Sequence, residues 1–195
     1  DLNKYCDRVR NLLIHFNAKI RIDPIAIKNA RIITISGQSG AGKTTLMNEL
    51  FRYLGPLGWR KVQIGKLFRD FCSARGYEIE QIEQIPAEVH RQFDDLQEEI
   101  LKTDSNIILE GRMSGYLASK TGLRDVLRIF CDLPLDERIR RFADREAEQL
   151  KAAEIKVMER DSKDLAVYSA LYGVENYRDT KYYNLYLDTT KTPDE

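Results

Sequence analysis

Ile32-Ile33-Thr34-Ile35 runs without a break into Ser36-Gly37-Gln38-Ser39-Gly40-Ala41-Gly42-Lys43-Thr44-Thr45, and Leu46-Met47-Asn48-Glu49-Leu50-Phe51 follows. Four β-favouring residues, a glycine-rich turn closing in G-x-x-x-x-G-K-T and a helix-forming segment make the context a phosphate-binding P-loop requires. Glycines at 37, 40 and 42 open backbone angles closed to other residues, so successive N–H groups can turn onto phosphate oxygens. The positive end of the following helix adds its partial charge. Lys43 brings a mobile ammonium to the outer phosphates, and the Thr44 hydroxyl can ligate Mg²⁺. The whole of Gly37, Gln38, Ser39, Gly40, Ala41, Gly42, Lys43, Thr44 and Thr45 therefore reads as a site for the phosphates of a nucleoside triphosphate, ATP by default.

The chain has 195 residues, enough for one α/β domain with its own core. Lys plus Arg and Asp plus Glu both count 31, so the net charge is zero. A neutral chain has no global electrostatic case for nucleic acid or an anionic membrane surface. Cys6, Cys72 and Cys131 are widely spaced and form no C-x-x-C, which fits buried thiols in a reducing compartment. No apolar run approaches the roughly 18 residues of a membrane span, and cytoplasm is the default location.

Strand and helix signals alternate along the chain. Leu2, Tyr5, Val9, Leu12, Leu13 and Phe16 recur at helical spacing, so residues 1–30 read as a helical extension ended near Asp23-Pro24. Such a helix packs on its own domain or offers a homodimer or partner contact. After the P-loop helix, Lys61–Ile64, Asn106–Arg112, Val126–Cys131 and Leu185–Leu187 read as strands. Helices are expected over Lys66–Arg75, from Pro86 to about Leu101, and from Pro134 to about Gly173 with a break near Lys151–Glu154. Alternation of this kind implies βαβ units, a parallel sheet and ligands at the strands' carboxyl ends.

Other residues narrow the chemistry. No Asn-Lys-x-Asp sequence is present to read guanine, which disfavours a GTPase. The third strand ends in Glu110-Gly111-Arg112: the carboxylate can orient Mg²⁺ and the arginine can hold a second phosphate. Arg138, Arg140, Arg141, Arg145 and Arg160 crowd one helical region. Arg138 and Arg140 read as a solvated face, whereas Arg141 and Arg145, four apart, can reach one phosphate chain. A mobile arginine lid over about 138–165 would neutralise charge and exclude water.

The ordered set of Ile35-Ser36-Gly37 through Thr45, Gly65 with Phe68-Arg69, Leu109-Glu110-Gly111-Arg112 with Gly115, Pro134-Leu135 leading to Arg141, Arg145 and Glu146, and Tyr168 with Tyr172-Gly173 resembles the cytidylate kinase family in its short, archaeal form. The resemblance covers Ile32 to Thr189. It implies a P-loop NTPase fold with a five-stranded parallel sheet flanked by helices and a mobile helical lid. It further implies Mg²⁺-dependent transfer of the ATP γ-phosphoryl group to a nucleoside monophosphate, CMP or dCMP. Arg69, Arg112 and Asp164 would then serve the acceptor, Lys43, Arg141, Arg145 and Arg160 the transferring phosphates, and Thr44 and Glu110 the metal. A kinase for another small metabolite is an alternative, as is a nucleotide-binding module signalling through the N-terminal helix.

Two positions depart from the family pattern. The lid exit reads Arg160-Asp161-Ser162-Lys163-Asp164-Leu165-Ala166-Val167, with valine where a final arginine is usual. Lys66 stands where an acidic residue is common. These changes put the preference for CMP in doubt: either the acceptor binds more weakly and less selectively, or Lys163, one turn before Val167, restores some of the charge.

Overall fold

A computed structural model describes residues 30–190. The predicted N-terminal helix, Cys6 and the last five residues lie outside this range.

The expected sheet is present. Five parallel strands stand in the order β2-β3-β1-β4-β5. They are β1 (Ile32–Gly37), β2 (Arg60–Gln63), β3 (Ile107–Glu110), β4 (Val126–Asp132) and β5 (Leu185–Asp188). Strand β1 is central and wholly buried, which is why it is a continuous apolar run rather than an alternating one. Its pleat still divides the core in two. Ile33 and Ile35 pack with Leu46, Met47, Leu50 and Leu54 of helix α1 (Lys43–Leu54), while Ile32 faces Ile100 and Leu101 on the opposite side. Leu50 is fully buried there, so truncating it to alanine costs about 2–5 kcal/mol.

The remaining helices are α2 (Ile64–Ala74), α3 (Ala87–Thr103), α4 (Ser114–Lys120), α5 (Leu135–Glu146) and α6 (Leu150–Tyr172). Helix α4, just seven residues long, is absent from the sequence reading. Its Gly115 donates its N–H to Ser36 Oγ at 2.8 Å, and a Cβ there would stand 2.4 Å from the Tyr183 ring. The break in the long charged segment falls at Ala147–Gln149 rather than Lys151–Glu154. Ala147 ends α5 with φ of 53°, a left-handed turn that its residue type gives no hint of.

Register sets the site. Gln63 of β2 lies opposite Glu110 of β3, and Glu110 opposite Ile35 of β1, so these residues share the carboxyl edge of the sheet with the P-loop. No described helix is long and apolar enough to cross a membrane.

Candidate active site

The loop from Gly37 to Gly42 leaves β1 at this carboxyl edge and enters α1 directly. Gly37, Gly40 and Gly42 all have positive φ, at 150°, 79° and 77°. The first also needs its missing side chain, because a Cβ at Gly37 would stand 2.7 Å from the Cys131 carbonyl oxygen. Lys43 Nζ donates to the Gln38 carbonyl at 2.7 Å, folding the ammonium back over the loop. Lys43 is partly exposed, yet its surroundings are crowded. Burial pulls its pKa down to about 8, with Arg112 and Arg160 acting the same way and Glu110 opposing them. The ammonium thus sits where added negative charge is strongly favoured.

Thr44, Glu110 and Gln63 meet at one corner. Thr44 Oγ1 donates to Glu110 Oε2 at 3.3 Å, and Gln63 Nε2 donates to the same oxygen at 3.0 Å. Glu110 is nearly buried, so its charge is concentrated at this corner. A hydroxyl and a single carboxylate are hard oxygen donors, the sparse set that suits a Mg²⁺ keeping waters and phosphates as its other ligands. Among the described residues there is no cluster of three or more His, Cys, Asp or Glu that could hold a metal by itself.

Beyond this corner a cleft of about 500 Å³ opens between α2, α3 and α6. Arg69, Arg112, Arg145 and Arg160 all line it. Arg112 is ion-paired with Asp164, whose side chain is only 4% exposed. One wall is aromatic: Phe68 lies 5.2 Å from both the His90 and Phe93 rings. Opposite chemistry comes from Asp94, which accepts from Tyr172 Oη and, at 3.3 Å, from Gln97 Nε2. Burial, then the nearby Asp95 and Glu98, push the Asp94 carboxyl up to about 7. His90 is buried beside it, burial lowers its pKa against a backbone hydrogen bond with Ile82, and its Nε2 has no hydrogen-bond partner among the described residues. A cleft with an aromatic wall, a polar edge and several cations suits an aromatic group carrying an anion.

The profile of the cytidylate kinase-like family matches residues 59–191. The chain belongs to this family. Relatives include cytidylate kinases of Pyrococcus abyssi, 32% identical over 84% of this chain and 87% of the relative, and of Pyrococcus furiosus, 32% identical over 86% and 84%. The cytidylate kinase of Natronomonas pharaonis is also 32% identical, over 84% of this chain and 83% of its own. Among solved structures, the shikimate kinase of Bacteroides thetaiotaomicron superposes with a TM-score of 0.54 at 14% identity, covering 84% of this chain and 89% of that one. The shikimate kinase of Acinetobacter baumannii gives 0.53 at 16% identity, over 86% and 88%. At such identities these two likenesses establish the P-loop kinase fold alone.

Within this cytidylate kinase-like chain the predicted arginines separate into two groups. Arg141 and Arg145 do not converge, despite their spacing of four. Arg141 pairs with Glu137 at 3.1 Å and donates to the carbonyls of Thr189 and Thr190, lying against Gly42. Arg145 pairs with Glu146 at 2.7 Å and lines the cleft between α2, α3 and α6. The two belong to opposite ends of the site because α5 runs from the P-loop to the cleft rim. Arg140 is the solvated residue expected, held by Glu137 and Asp144. Arg138 is not: it is 3% exposed and ion-paired to Asp161 at 2.7 Å. The first turn of α5 is packed on the P-loop, so position 138 is an inward one.

Lys163 lines the cleft and pairs with Glu83 at 3.2 Å, whereas Val167 is not among the lining residues. The idea that Lys163 fills a space vacated at 167 finds no support here. Lys66 is a surface residue paired with Asp70 at 2.6 Å. His90, Asp94 and Gln97 escaped the sequence reading, although their spacing of four and three put them on one face of α3. The free thiols Cys72 and Cys131 are buried, and burial pushes Cys131 up to about 12.

Proposed function

We propose that this chain transfers the γ-phosphoryl group of ATP to the phosphate of CMP or dCMP, giving the nucleoside diphosphate and ADP. The observation that carries the reading is the placement of a cation-lined cleft with an aromatic wall beside the P-loop lysine and the Thr44–Glu110 corner. Its relatives' cytidylate kinase activity points the same way.

In this reading the P-loop N–H groups and Lys43 hold the donor phosphates. Thr44 and Glu110 would hold Mg²⁺, which when bound would neutralise charge on the donor phosphates. Arg69 and Arg112 take the acceptor phosphate, while Phe68, His90 and Phe93 cover the base and Asp94 and Gln97 read its edge. An oxygen of the acceptor phosphate attacks the γ-phosphorus in line, and the bond to the β,γ-bridging oxygen breaks, leaving ADP. The acceptor oxygen is already anionic near neutral pH, so no side-chain base is needed. Arg145 and Arg160 meet the transferring charge from α5 and α6 and help exclude water.

The test is a coupled assay with Mg-ATP and a panel of nucleoside monophosphates, shikimate and other small hydroxyl acceptors. CMP and dCMP are expected to be the best substrates. Turnover of a hydroxyl acceptor with none of any monophosphate would refute the reading.

A further inference from the structure

Asp161 of α6 joins three elements through a single carboxylate oxygen. Its Oδ2 accepts from Gln38 Nε2 of the P-loop at 2.7 Å and from Arg138 of α5 at 2.7 Å. The other terminal nitrogen of Arg138 approaches the Ser39 carbonyl of the P-loop at 3.5 Å. The contact is also one of backbone. Gly40 lies against α5 at ordinary contact distance: a Cβ there would stand 3.6 Å from the Arg138 carbonyl oxygen and 3.8 Å from its Cβ. Gly40 has φ of 79°, so it is this left-handed backbone, and not a lack of space beside α5, that calls for glycine.

Burying a guanidinium is expensive unless every N–H finds a partner, and breaking even with an apolar side chain is the usual best case. Arg138 does not reach that standard. Its side chain is 4% exposed, and its Nε is buried without a hydrogen-bond partner among the described residues. Stability alone is a poor reason for this residue. Position is a better one. Ser39 C=O and Gly40 N–H belong to one planar trans peptide unit and point in opposite directions. A guanidinium drawing the carbonyl toward α5 turns the Gly40 N–H to the other side of the loop, away from α5. The same guanidinium fixes Asp161, and Asp161 is the neighbour of Arg160, which lines the cleft.

We infer that Arg138 is a positioning residue of the donor phosphate site: through Ser39, Asp161 and Gln38 it locks the P-loop tip to the middle of α6. It does not touch the nucleotide. It sets the P-loop peptide planes, and it sets where Arg160 leaves the lid helix. The lid is therefore tied at Arg138 and again at Asp161, and its moving part lies between them.

The inference rests on the donor-site reading, so its test measures nucleotide binding separately from turnover. Calorimetric titration with Mg-ADP is paired with initial rates varying ATP and the acceptor independently. Arg138→Met should weaken Mg-ADP binding and raise the KM for ATP roughly tenfold, with acceptor KM changed less than about twofold. Arg138→Lys should recover part of this, because one ammonium can neutralise Asp161 but cannot span to the Ser39 carbonyl. Gln38→Met keeps the fold even if Arg138→Met does not. Alone it should raise the KM for ATP several-fold, and in an Asp161→Asn background by much less, since the shared acceptor is already altered. Equal rises in both KM values tracking a lower Tm, or additive effects of Gln38→Met and Asp161→Asn, would overturn the inference. If the unaltered chain bound no Mg-ADP, the donor-site reading itself would fall, and the inference with it.

Discussion

Arg112 and Asp164 are ion-paired to each other, one from the loop after β3 and the other from the lid helix α6. Both were assigned to the acceptor from sequence, yet here each satisfies the other. The guanidinium is 17% exposed and the carboxylate 4%, so neither charge is left to water. In the proposed reading, an acceptor phosphate taken by Arg112 would share or replace Asp164 as its partner, and acceptor binding would then act on α6 directly.

This separates stability from function in a measurable way. Arg112→Met should raise acceptor KM about ten- to a hundredfold, the loss of one charge-assisted contact, with the KM for ATP nearly unchanged. It should also lower Tm, because Asp164 is left buried and unpaired. Adding Asp164→Asn should restore much of the Tm without restoring acceptor KM. Recovery of both together would mean that Arg112 acts only as a structural partner.

Lys43 gives a prediction with a definite sign. Its pKa is lowered to about 8 by burial, so the empty site holds the ammonium less firmly than water does. The protonated form is the one that binds phosphate. As pH rises through about 8 the free enzyme loses that charge, and kcat/KM for ATP should fall. Lys43→Arg should abolish this limb of the profile by keeping its charge. Lys43→Ala should lower the rate roughly a hundred- to thousandfold below about pH 8, by less above it, while leaving Tm close to that of the unaltered chain.

The parts of this site readable in sequence are those whose physics is local. Gly37 to Thr45 is legible because loop, helix end and lysine must be contiguous to cradle phosphates. Glu110 and Arg112 are legible because a strand end fixes where they emerge. What escaped depends on which side of a helix faces inward. Arg138 and Arg140 are two apart in one charged run, and the buried one is told from the solvated one only by the packing of Gly40 on α5. Asp94 lies next to Asp95 in a helix whose charges resemble a wet face, yet α3 turns that residue onto the cleft. Val167 failed in the opposite way. A motif position suggested an acceptor contact, and the helix does not place its side chain on the cleft lining.

Asp94 carries the most specific expectation about the acceptor base. Its carboxyl is raised from an ordinary 3.8 to about 7, first by burial and then by Asp95 and Glu98. Tyr172 Oη and Gln97 Nε2 both donate to it, which leaves the outward lone pairs as acceptors. The exocyclic amino group of cytosine is a donor and suits an ionised carboxylate, whereas the corresponding oxygen of uracil does not. Binding of CMP should therefore favour the ionised form. As pH rises through about 7 a growing share of free enzyme carries that form, so kcat/KM for CMP should rise over this range. The acceptor's own phosphate titrates nearby, so the diagnostic quantity is the ratio of the unaltered chain to Asp94→Asn, measured at each pH. That ratio should climb through about 7, and Asp94→Asn should narrow the preference for CMP over UMP by roughly tenfold or more. Stability supplies an independent check with the opposite slope. The folded state keeps a proton that the unfolded chain releases near pH 4, so Tm should decline between about 4 and 7 and then level. Asp94→Asn should remove that decline. A flat ratio together with an unchanged preference would mean that Asp94 faces the cleft without reading the base.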